Sequence, residues 1–190
     1  IQFYIEGTDS LGAVSTYPQN GTASRALIKF ETAPRIIANK QTFRTIMTAR
    51  DSSLLHAPIN MMSDDLLGCT VIHNEREVFY DAQIRLHGSM FSRDQPDLTG
   101  FAVKFPADHL FRGSRPSVIV RRRGMVETFV KHILNAASGL PANYDDIVYL
   151  VSHRTDNVGA ARLNLANYDA TYVDSQFENN NGGTVFKLEG

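Results

Sequence analysis

The chain has 190 residues, 43% of them apolar and 21% charged, with a formal net charge of −1 and a single cysteine, Cys69. That mix excludes a disordered, collagen-like or coiled-coil chain, and the near-neutral charge argues against nucleic acid as a partner. One cysteine excludes an internal disulfide, and no apolar run reaches the ~20 residues of a membrane-spanning helix.

Residues 1–6 and 24–31 read as short strands. Between them lie the turn Asp9-Ser10-Leu11-Gly12 and a polar stretch, Ser15 to Thr22, with Pro18 and Gly21. Two strands cannot bury a core alone. Residues 1–31 are therefore expected to be the C-terminal strands of an upstream β-sandwich (Ig-like) module, with few contacts beyond a linker at residues 32–42. The chain starts at Ile1 in what reads as mid-strand and stops at Gly190 just after another strand, the pattern of a fragment of a longer, multidomain protein.

From residue 43 the texture changes. Phe43 to Thr48 reads as a strand, and Asp51 is placed to cap a helix through Leu54 and Leu55 that Pro58 ends. Gly68 to His73 and Glu77 to Arg85 form a hairpin turning at Asn74-Glu75-Arg76. Thr99 to Phe105 and Pro116 to Val120 are further strands. The strongest helix is Met125 to Ser138, with Val126, Phe129, Val130, Ile133, Leu134 and Ala137 on one stripe. Gly139 stops it and Pro141 follows. A second hairpin runs Asp146 to His153 and Val158 to Asn164, a helix spans about Asn167 to Phe177, and Thr184 to Leu188 is a last strand after the loop from Asn179 to Gly183. This order predicts an α+β fold with a mostly antiparallel sheet and one long helix.

Few residues stand out for chemistry. In Ile84-Arg85-Leu86-His87-Gly88-Ser89-Met90-Phe91-Ser92-Arg93 a strand ends in a Gly/Ser loop. Glycine lets backbone approach a ligand, and hydroxyls with free N–H groups hold phosphate oxygens; an ordinary hairpin loop has the same composition. Lys104, in Phe101-Ala102-Val103-Lys104-Phe105, lies opposite Val103 and Phe105 if alternation holds. It suits phosphate as a point charge, or simply a solvated face. Glu127, near the start of the long helix, can reach a sheet lysine. It equally fits an i,i+4 pair with Lys131, worth about 0.3 kcal/mol, or a complement to the helix dipole.

Arg112, Arg115, Arg121, Arg122 and Arg123 form a basic stretch that suits an anionic partner or plain solvation. The segment from His153 to Asn157 lacks the spacing of a kinase catalytic loop and falls in a hairpin turn. The six histidines and Cys69 show no metal-ligand spacing. Asn20-Gly21-Thr22 matches a glycosylation sequon, a common pattern.

Taken in order, several pieces resemble the spore-coat protein H (CotH) kinase family. They are Ile84 to Ser89, Phe101 to Phe105, the helix with Glu127 closing at Ala137-Ser138-Gly139-Leu140-Pro141-Ala142, the hairpin Val148-Tyr149-Leu150 to Gly159-Ala160-Ala161, and Gly183 to Glu189. The resemblance covers residues 43–190 and implies a kinase-like N-terminal lobe. It implies an atypical protein kinase that binds ATP with Mg or another divalent metal and phosphorylates Ser or Thr of a protein substrate. It also implies an exported bacterial protein of the cell envelope or exterior, as in a spore coat.

The roles it implies are nucleotide-binding ones. Gly88 and Ser89 cover the phosphates, Lys104 contacts them, Glu127 holds Lys104, and Asn164 to Asn167 join two lobes beside the adenine. His87 stands where relatives often carry Arg. The family's catalytic and metal-binding aspartates belong to a C-terminal lobe, so neither a catalytic nor a metal-binding residue is assigned within this chain. Two other readings remain at this point: a kinase-like domain that binds without catalysis, and a structural or adhesive module of a cell-surface protein.

Overall fold

The computed structural model describes residues 1–31, 40–95, 98–121, 125–154, 158–177 and 183–186. Two small strands come first, β1 (Ile5–Thr8) and β2 (Val14–Tyr17). The body follows: β3 (Thr42–Ile46), α1 (Ala49–Leu55), β4 (Leu67–His73), β5 (Glu77–His87), α2 (Met90–Arg93), β6 (Gly100–Lys104), β7 (Ser117–Arg121), α3 (Met125–Ser138), β8 (Asp145–Val151), β9 (Val158–Ala166) and α4 (Ala170–Gln176).

Seven strands close into a barrel in the order β3-β4-β5-β6-β7-β9-β8. Every neighbouring pair is antiparallel except β3 and β8, which run parallel, with Phe43 beside Leu150. This corrects the expected fold class. The protein is a closed, mostly β barrel with a small separate sheet, and not a kinase-like lobe built on one long helix. The physical reason lies in two places. Strand β3 pairs with β4 on one side and β8 on the other, which leaves no edge open. And α3, though it spans the expected residues, adds nothing to the core: Val126 is 74% and Phe129 70% exposed, and Val130, Ile133 and Leu134 are exposed as well. The side of α3 that meets the barrel is its polar one, through Lys131, which reaches Asn143 and Asp145 at 2.8 Å each.

The core fills the barrel. Alternation puts Ile84, Leu86, Phe101, Val103, Val118, Val120, Val148 and Leu150 inside. One end is plugged by the loop after β6, whose Phe111 is fully buried against Phe43, Phe79 and Phe105. Buried His73 sits at the same end, 4.8 Å from the Phe111 ring centroid, with Nδ1 3.4 Å from Glu77 Oε2. Burial holds its pKa below that of ordinary imidazole, and Arg112 adds to this while Glu77 opposes it.

The unfolded chain then binds a proton near pH ~6.5 that the native state refuses, so stability falls as pH drops through that value. We expect the thermal midpoint to decline between neutral pH and mild acid, and His73→Gln to shrink that decline. An unchanged slope in the variant would remove His73 from the account.

Several local expectations differ from what forms. The first strand pair is β1 with β2, not residues 1–6 with 24–31; residues 24–31 contribute one isolated bridge, Gln2 to Leu27. Thr48 caps α1 by accepting the Asp51 N–H at 3.0 Å, so Asp51 lies in the first turn. Residues 184–186 form no strand, and Lys187 and Leu188 lie outside the described residues, as do most of the linker, Arg122, Arg123, the turn at 155–157 and residues 178–182.

Residues 1–31 also make more contacts than expected. The Asp81 carboxylate accepts the Arg25 N–H, the Ser24 hydroxyl at 2.9 Å and the Asn20 amide at 3.0 Å. Arg25 Nε pairs with Asp51 at 2.9 Å, and Leu27 N–H donates to Thr70 Oγ1 at 2.9 Å. This N-terminal arm is thereby held against β4 and β5. Gly68 is required there: a Cβ would stand 2.4 Å from Arg25 Cγ. Among the described residues no helix is long and apolar enough to cross a membrane.

Candidate functional site

The site is built from the β5–β6 connection. Strand β5 ends at His87, which pairs with Gly100 of β6. Gly88 follows with φ +121°, and a Cβ there would stand 2.3 Å from Ser92 Oγ. Only glycine fits that close curl. Arg93 pins the loop: its Nε donates to Gly88 O at 2.8 Å and its Nη1 to Met61 O at 3.1 Å. Its Nη2 forms an ion pair with Asp64 Oδ1 at 3.8 Å. Ser92 Oγ–H donates back to Ser89 O at 2.9 Å, and Ser89 is exposed beside it. Thr99 Oγ1 donates to Gln95 O at 2.7 Å and fixes the return of the chain. Gly100 is sandwiched, its would-be Cβ 3.1 Å from His87 O and 3.4 Å from Arg121 Cβ.

Glu127 lies at the same end, outside the barrel. Its carboxylate pairs with Arg121 at the end of β7 and stands 3.8 Å from Lys131. Lys131 continues the alternation to Asp145 at 2.8 Å. The half-exposed Arg121–Glu127 pair is worth about 0–1 kcal/mol, and the Lys131–Asp145 pair is more deeply covered; both orient α3.

Asn164 is 2% exposed and lies on the inward row formed with Val120, Phe101 and Leu86 across β9, β7, β6 and β5. Its Oδ1 has no hydrogen-bond partner among the described residues. Asn164 to Ala166 belong to a strand and do not form the expected connector between lobes.

Lys104 does not join this group. Val103 and Phe105 point inward as expected and Lys104 outward, exposed. It ends β6 opposite Gln83, four residues from Gly100, so about 13 Å of strand separates it from the loop end. It forms no ion pair with Glu127. The structure thus brings Gly88, Ser89, Asn164 and Glu127 to one end and leaves Lys104 at the other. The cation that meets Glu127 is Arg121, which the sequence offered only as part of a basic run.

A second feature of this end went unread. His56 Nε2 and His153 Nε2 stand 3.0 Å apart, and His153 Nδ1 is 3.1 Å from Thr45 Oγ1. Both rings meet Phe101 edge-on. The ring centroids are 5.3 Å apart, so the two nitrogens point straight at each other, the geometry of an N–H···N hydrogen bond and not of two ligands turned toward one metal. Among the described residues no group of three His, Cys, Asp or Glu could hold a metal ion. Cys69 is fully buried, which pushes its thiol pKa up and keeps it from acting as a nucleophile. A scan against protein-family models and a search of curated proteins both return no match.

Proposed function

We propose that this chain is part of a CotH-like protein kinase and engages ATP phosphates at Gly88 to Arg93, on a β-barrel and not on a kinase-like lobe. The observation that carries this reading is the turn: a glycine held at φ +121°, an exposed serine, and an arginine guanidinium anchored beside them by Gly88 O and Asp64, all fixed to a rigid strand end. Such backbone and hydroxyl groups suit phosphate oxygens, and guanidinium forks suit them better than a lone ammonium. In this reading Glu127 orients Arg121 beside Gly100, and Lys104 takes no part. A bound divalent ion would neutralise phosphate charge, but the described residues gather no ligand set for it, so no ligand is assigned. A protein serine or threonine as acceptor follows the resemblance alone.

ATP titration of the chain, followed by backbone amide resonances, tests the reading. Shifts should centre on residues 88–93 and Arg121. Ser89→Ala should weaken binding about tenfold, and Gly88→Val should abolish it. Absence of shifts, or equal binding by both variants, would overturn the proposal.

A further inference from the structure

The arm and the barrel enclose a groove of about 680 Å³, at the opposite barrel end from the Gly88 loop and independent of it. That volume is within the ~300–1,000 Å³ of ligand sites. Its floor is Tyr80 and Gln83 of β5 with Lys104 of β6; its walls are residues 16–20 of the arm and the loop after β6.

Four observations define its chemistry. Tyr17 is 60% exposed and stands edge-on to Tyr80, centroids 6.1 Å apart, so one ring braces the other and leaves an aromatic face open. Gln83, Lys104 and Asp108 line the same groove, all exposed, and among the described residues their side chains make no hydrogen bond or ion pair. The lining carries one cation, Lys104, against two carboxylates, Asp108 and Asp81; the Asp81 oxygens are held by the neutral donors of Asn20, Ser24 and the Arg25 backbone, so the groove has no excess positive charge to hold an anion. Finally, β5 and β6 are paired on both sides, so the floor offers no strand edge to which an extended peptide could add.

Recognition in this groove therefore rests on side chains, and on a neutral ligand with a flat apolar face and many hydroxyls. We propose that the groove binds a neutral oligosaccharide. The C–H face of a pyranose ring packs on Tyr17. Its hydroxyls, each both donor and acceptor, meet the Gln83 amide, the Asp108 carboxylate and the Lys104 ammonium.

The test uses the 190-residue chain and three neutral probes, cellohexaose, chitohexaose and mannohexaose, with hexagalacturonate as the anionic comparison. At least one neutral probe should shift the amide resonances of Tyr80, Gln83 and Lys104. Tyr17→Ala and Gln83→Ala, both at exposed side chains, should keep the thermal midpoint and weaken that binding about tenfold or more. No shift by any neutral probe at millimolar concentration would overturn the proposal. So would equal binding by both variants, or tighter binding of hexagalacturonate than of every neutral probe.

Discussion

Phe111→Ala is expected to cost about 3–5 kcal/mol of folding stability, at the upper end of that range. Phe111 is fully buried, stacked on Phe105 at 5.1 Å and edge-on to Phe43 at 5.9 Å, with Phe79 at 5.8 Å. It hangs from a connecting loop that is itself pinned by the bridge from Phe111 to Arg115. Truncation would leave a cavity whose walls are strands of a closed hydrogen-bonded ring, which cannot collapse inward without breaking ladder bonds. Against a typical total of about 5–15 kcal/mol, the loss is a large fraction. Denaturant unfolding should show a lower midpoint with an unchanged slope. Phe111→Leu should lose less, since it refills most of the space. A midpoint within error of the parent for Phe111→Ala would mean the ring is not the plug described above.

Asp81→Ala is expected to release the arm and cost about 3 kcal/mol locally. Two effects combine. Hydrogen bonds to a charged group contribute about 1.5–3 kcal/mol, and Asp81 accepts them from Arg25, Ser24 and Asn20. Asp81 also has φ +56°, which aspartate tolerates better than alanine does. Amide exchange should accelerate at Leu27, whose N–H is held by Thr70, while the amides of β6 and β7 keep their protection. Asp81→Asn keeps the backbone preference and one acceptor oxygen, so its effect should be smaller. Accelerated exchange throughout the barrel would instead make the arm integral to the barrel's cooperative unit.

What could be read from the sequence was local. The alternation in Phe101 to Phe105 fixed which way Lys104 points, and the apolar stripe located α3. The direction in which that stripe faces was not readable, because periodicity reports that a helix has two faces and not which one is attached. Here Lys131 to Asp145 and Asn143, and Glu127 to Arg121, fasten the polar side. Strand β2 was hidden in a polar stretch, where only Val14 and Tyr17 give a β signal. The Arg121–Glu127 pairing was ambiguous because Arg121 and Lys104 both end strands, on opposite sides of the same register. Closure of β3 on β8 has no local signature at all.

That closure also sets an order of events during synthesis. Thr42 to Arg44 pair with Tyr149 to Val151, roughly a hundred residues later in the chain. At about 5–20 residues per second, the ribosome leaves β3 without its parallel neighbour for about 5–20 s. Throughout that wait the edge of β3 at Thr42 to Arg44 is an open template for another nascent chain. The barrel that has no edges when finished is therefore most exposed to mispairing just before β8 emerges.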